Sequence, residues 1–151
     1  MVNCQQFIFF QLPCNNLITN KPISYKIISL TVWKNCSYVQ QLSWYVFQRT
    51  TRKVSENILA DALQELVDQC NDVFEAKTDE LTAYQMNFLR AVADGNHTGL
   101  SSAKIIQDYH LGSSANVNII KKSLLDKDLI VIEDKKVFLS DPIMSLWLQR
   151  E

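Results

Sequence analysis

Few residues in this 151-residue chain have both the type and the spacing to do chemistry. The two histidines, His97 and His110, together with Asp94 could hold a metal or exchange a proton. His97 lies in an Asn-His-Thr-Gly run and His110 precedes a Leu-Gly turn, settings that predict two solvated histidines instead. A phosphate cradle needs glycines that let backbone amides close on the ligand, followed by a lysine. Gly95, Gly99 and Gly112 are the only glycines, and no Walker-type loop, GxGxxG or GxSxG occurs, so neither an independent nucleotide-hydrolysing site nor a hydrolase site is expected. Cys4, Cys14, Cys36 and Cys70 form no CxxC pair, and four reduced thiols are expected rather than a zinc site or a disulfide framework. The reading is of a chain with no catalytic, cofactor or metal residue of its own.

A second group has recognition chemistry. Lys121 and Lys122 are suited to phosphates, Asn116 and Asn118 to base edges, and Lys135 and Lys136 to the phosphates beside a protruding turn, with Ser114 opening the helix that carries the first four. The same residues are what any exposed helix face and hairpin tip display. Asp126, Asp128, Glu133 and Asp134 sit among them, so a protein or intramolecular contact is expected ahead of double-stranded DNA.

The elements that must position these residues follow one order. Thr82 and Gln85 have the spacing of a capping box, and Gly95 suits the left-handed residue that ends a helix. Between them Met86, Leu89, Val92 and Ala93 share a face that Tyr84, Phe88 and Ala91 widen. Ser101 or Ser102 caps a short helix through Ile105, Ile106 and Tyr109, and a Leu111-Gly112 turn leads into a helix over about 114–127. That helix packs Val117, Ile120, Leu124 and Leu125 inward. Residues 129–132 and 137–139 read as paired strands around a turn at 133–136, and Asp141 caps a last helix with Pro142 at its first position. Helix, short helix, helix, hairpin and closing helix are the order of a winged helix-turn-helix, so the expected fold class is mainly α with a small β-hairpin.

Upstream, residues 1–22 stay unassigned, being apolar, aromatic and amide-rich with Pro13 breaking any period. A short helix entered at Pro22 and closed by Trp33 to Cys36 is expected next. Ser37 then caps a helix in which Tyr38, Val39, Leu42, Trp44, Tyr45, Val46 and Phe47 are apolar around nearly the whole circumference. Such a helix needs cover on nearly all sides, either from the N-terminal residues or from a missing partner, which makes Trp44, Tyr45 and Phe47 candidates for contact with a missing core or a second copy. Ser55 caps a further helix with Ile58, Leu59, Ala62, Leu63, Leu66, Val67 and Cys70 inward, and residues 75–80 read as a connector. The expected organisation is 1–22 unassigned, 23–80 a helical subdomain and 81–151 the winged helix.

Charge is segregated along the chain. Six Lys or Arg and no acid precede Glu56, eight acids and one Lys lie between Glu56 and Leu81, and eight of each follow from Thr82 onward. The winged-helix stretch is thus electrically neutral, which argues against DNA as its partner. The apolar run of residues 7–12 is too short for a membrane span and lacks a basic leader, so a cytoplasmic protein without membrane contact is expected.

The runs "ELTAYQMNFLRAVADG", "GSSANVNIIKKSLLDKDLI" and "VFLSDPIMSLWLQR" resemble the C-terminal end of bacterial and archaeal P-loop ATPases of the AAA+/STAND type. The resemblance extends back through "SYVQQLSWYVF" and the helix after Ser55, similar to that family's helical lid, and covers residues 23–150. It implies an ATPase core as partner and ATP as cofactor only where such a core, with its Walker motifs, is present upstream. Where the family's lid often opens on a His-Pro or similar pair, Cys36-Ser37 stands here, and no nucleotide contact is expected from this segment. A fragment of a larger ATPase, or the product of a disrupted gene, is therefore expected. The alternative is a free-standing winged-helix regulator that binds DNA as a dimer.

Overall fold

The computed structural model describes residues 36–150. Among the described residues, 36–68 belong to one compact unit and 69–150 to another. The expectations for residues 1–22 and for the short helix after Pro22 lie outside the described residues. Among those described there are seven helices and one two-stranded antiparallel hairpin.

The first unit carries α1 (Cys36–Arg49) and most of α2 (Glu56–Gln69). Arg49 terminates α1 with a charge that complements the helix dipole. Its Nη1 donates to Tyr45 O at 3.0 Å, its guanidinium lies 5.9 Å from the Tyr45 ring centroid, and its other arm pairs with Glu65 of α2. In α2, Ser55 Oγ accepts from Ile58 N at 3.3 Å, and Leu59, Ala62, Leu66 and Val67 recur at helical spacing as the buried face.

The second unit begins with α3 (Asn71–Thr78), continues through α4 (Ala83–Ala93), α5 (Ala103–Asp108) and α6 (Ser114–Asp126), and closes with β1 (Ile130–Glu133), β2 (Lys136–Leu139) and α7 (Pro142–Leu148). Where the sequence suggested a connector from residue 75, α3 runs on to Thr78. Phe74 is fully buried 5.8 Å from the Trp147 ring, and Thr78 Oγ1 donates back to Phe74 O at 2.8 Å, so tertiary packing overrides weak local propensity.

Helix α4 is the centre of this unit and packs against α7, β2 and α6, with Phe88, Leu89, Ala91 and Val92 buried. Its capping box forms as the spacing predicts, and Gln85 serves twice. The Oε1 atom accepts from Thr82 N at 2.9 Å, while Nε2 donates to Ser123 Oγ of α6 at 2.9 Å, tying the start of α4 to the next long helix. At the other end Gly95, at φ +91°, lets Gly95 N reach Val92 O and Asn96 N reach Ala91 O, the two bonds of a Schellman cap.

Two further helices end the same way without glycine. His110 (φ 52°) follows α5, with Leu111 N bonded to Ile106 O, and Asp128 (φ 56°) follows α6, with Leu129 N bonded to Leu124 O. In both, the next residue is a buried leucine, which supplies the hydrophobic contact that accompanies this cap. The hairpin pairs Ile130 with Leu139, Val131 with Phe138, Ile132 with Val137 and Glu133 with Lys136. Asp134 (φ 49°) and Lys135 (φ 62°) are both left-handed, the signature of a two-residue type I′ turn.

Candidate functional site

Three of the seven recognition residues converge. Asn118 and Lys121 of α6 and Lys135 at the hairpin turn line one cleft of about 190 Å³, whose opposite wall is the 97–102 loop. Ser114 is exposed at the first turn of α6, Lys122 is exposed on its outer face, and Lys136 stands opposite Glu133 across the hairpin, all outside that cleft. Asn116 builds the turn. Its Nδ2 donates to Leu111 O at 2.8 Å and packs so closely on Gly112 that a Cβ there would sit 3.2 Å from it.

The outermost face of α6 is mixed. At 100° per residue, Ala115, Asn118, Ile119, Lys122 and Asp126 point away from the buried Val117, Ile120 and Leu124. Ile119 is 68% exposed, and the hairpin adds exposed Val131 and Ile132. Sequence reasoning passed over Ile119 as one apolar residue among many; its place opposite the buried stripe was the available signal.

His97 is not the solvated residue expected. It is half-buried, its carbonyl accepts from Val137 N at 2.9 Å, and its Nδ1 lies 2.9 Å from Val137 O, an acceptor only, so Nδ1 carries the proton. The ring also meets Phe138 at 4.5 Å between centroids. His97 therefore covers the outer edge of β2 at Val137 with its carbonyl and its ring, and fixes the wall of the cleft. His110 is exposed, as expected, but its left-handed backbone gives it a capping role. Asp94 accepts from the Tyr109 hydroxyl at 2.8 Å, and Asn96 Nδ2 donates to the same oxygen at 3.2 Å. The bond to Asp94, then burial and the nearby carboxylate charge, push the Tyr109 phenol above its usual 10.0. Among the described residues no group of three or more His, Cys, Asp or Glu is placed to hold a metal, and no helix is long and apolar enough to cross a membrane.

Trp44 and Phe47 stack at 6.1 Å on α1, each 56% exposed, while Tyr45 between them is half-buried under Arg49.

A tri-helical unit with its second and third helices joined by a Leu-Gly turn, followed by an antiparallel hairpin and a closing helix, is a winged helix-turn-helix. The chain belongs to the family described as a probable winged helix domain, whose model matches residues 72–150. That match begins within α3, the helix whose Phe74 packs on the closing helix. Neither a curated protein nor a solved structure matches the chain. A winged helix domain is a DNA- or protein-interaction module.

Proposed function

We propose that the chain acts through its winged helix as a non-catalytic docking module whose partner is a protein, the P-loop ATPase core that the sequence resemblance implies. The observation that carries this reading is Ile119, 68% exposed in the middle of the helix face that would otherwise enter a DNA major groove. Most side chains that read bases do so with donors and acceptors, whereas Ala115 and Ile119 offer only apolar contact such as a thymine methyl takes, and the exposed Asp126 repels phosphates. Burying one isoleucine side chain in a protein interface contributes about 1.5–3 kcal/mol. The neutral balance of basic and acidic residues from Thr82 onward points the same way.

The test is calorimetric titration of the chain into the core-and-lid portion of an ATPase of the resembled family. Saturable binding lost in Ile119→Asp is expected. A result of no binding, with Ile119→Asp indistinguishable from the parent chain, would falsify the reading.

The second reading, a free-standing regulator that binds double-stranded DNA as a dimer, is favoured by one arrangement: Asn118, Lys121 and Lys135 lie between recognition helix and wing. Its mark would be duplex binding whose affinity falls steeply with salt and depends on Lys121, Lys122 and Lys136.

A further inference from the structure

The cleft between α6, the 97–102 loop and the hairpin turn has a composition that the docking reading does not use. We propose that it is a binding site for a dianionic phosphate group, presented as a phosphomonoester. Lys121 and Lys135 line it from two different elements, and among the described residues neither ammonium has a carboxylate partner. No acid lines it, although Asp126, Glu133 and Asp134 are exposed on the elements around it. Thr98, Ser101 and Ser102 bring hydroxyls to the opposite wall. The Ser102 Oγ accepts from Ile105 N at 3.4 Å, which leaves its proton free to donate.

Size narrows the ligand. Drug-sized and cofactor ligands occupy pockets of roughly 300–1,000 Å³. At about 190 Å³ the cleft accommodates one tetrahedral anion with the first atoms of what carries it. Two ammonium groups match a dianion, the state of a monoester near neutral pH.

The backbone supplies an independent observation. Lys135 holds the second central position of a type I′ turn at φ 62°, where glycine is free and an L-residue is strained. A lysine nonetheless stands at that position, and its side chain lines the cleft. A duplex, which carries many further phosphates, fits less well beside the exposed Asp126, Glu133 and Asp134 on the elements around the cleft. The inference goes beyond the docking reading and does not depend on it, because Ile119 lies outside the cleft.

The experiment is an amide NMR titration of the full chain with three probes: inorganic phosphate, N-acetyl-phosphoserine amide and a short mixed-sequence duplex. Saturable shifts confined to the amides of Thr98, Ser101, Ser102 and Asn118 are expected with the first two. Lys121→Gln and Lys135→Gln should each weaken binding about tenfold, the loss of one charge-assisted contact, while Lys122→Gln should change nothing. Tighter binding of phosphoserine assigns the site to a phosphorylated side chain, and tighter binding of phosphate to the free anion. Absence of saturation in the unmodified chain overturns the proposal without recourse to any variant. Preferential duplex binding that falls equally in Lys122→Gln overturns it too, and returns these lysines to a DNA surface.

Discussion

The Trp147 indole N–H donates to Asn71 Oδ1 at 2.9 Å, joining the last helix of the winged helix domain to the first residue of α3. Seventy-six residues separate the two partners, so the bond closes the domain's two ends on each other. Trp147 is 5% exposed, whereas Asn71 is half-buried, so the bond between them is only partly buried. Asn71→Ala should therefore cost about 0.5–1.5 kcal/mol, the net contribution of one hydrogen bond. Once Trp147→Phe has removed that donor, Asn71→Ala should cost much less. A double-mutant cycle by urea unfolding decides it, and additive losses would show that the bond contributes nothing beyond packing.

The left-handed caps give a prediction of opposite sign. Asp128 ends α6 at φ 56° in a position that glycine occupies without steric cost. Asp128→Gly is expected to raise the unfolding free energy by about 0.5–1 kcal/mol, and Asp128→Ala to lower it by a similar amount. Thermal unfolding of both variants measures this. Equal midpoints for the two would remove the cap from the account of how α6 stops.

These caps also mark where the sequence could be read and where it could not. The Thr82–Gln85 box, Gly95 and the Asp141-Pro142 start each act through residue types nearly dedicated to the task, and all three form as read. His110 and Asp128 perform the same service with residues that usually signal something else. The hairpin was legible from its apolar runs to within one residue at each strand. The single covering residue His97 was not, because no period can be read from one residue. The meeting of Asn118, Lys121 and Lys135 needs the handedness of the turn, which an Asp-Lys pair does not announce. Helix α3 escaped because its reason to exist is Trp147, far along the chain.

Tyr109 should titrate abnormally. Its hydroxyl donates to Asp94, a bond available only to the neutral phenol, so the folded-state pKa lies above the usual 10.0. The sign follows from linkage: the stabilisation is complete below the unfolded pKa and is lost as pH rises through the higher folded value. Ultraviolet difference titration should find this tyrosine ionising late. Asp94→Asn should bring its midpoint down toward 10.0 and flatten the alkaline loss of stability. A midpoint that does not move would mean that burial, not Asp94, holds the proton.

The stacked pair Trp44 and Phe47 leads to a prediction about association. Each ring is 56% exposed, and aromatic side chains carry about 150–250 Å² apiece, so roughly 200 Å² of ring surface faces solvent on one stretch of α1. Tyr45 contributes less, being half-buried beneath the Arg49 guanidinium. Patches beyond a few hundred Å² mark contacts, so the pair alone is a small one, and in a chain studied alone the partner that doubles it is a second copy. The full chain should therefore show a concentration-dependent mass above that of a monomer in light scattering. Trp44→Ser with Phe47→Ser should return it to a monomer without lowering the unfolding midpoint, because neither ring is part of the buried core. Tyr45→Ser should have the smaller effect on mass. A chain that stays monomeric at every concentration, with the same mass in the double variant, would leave the aromatic pair without a self-contact and remove association from the properties of α1.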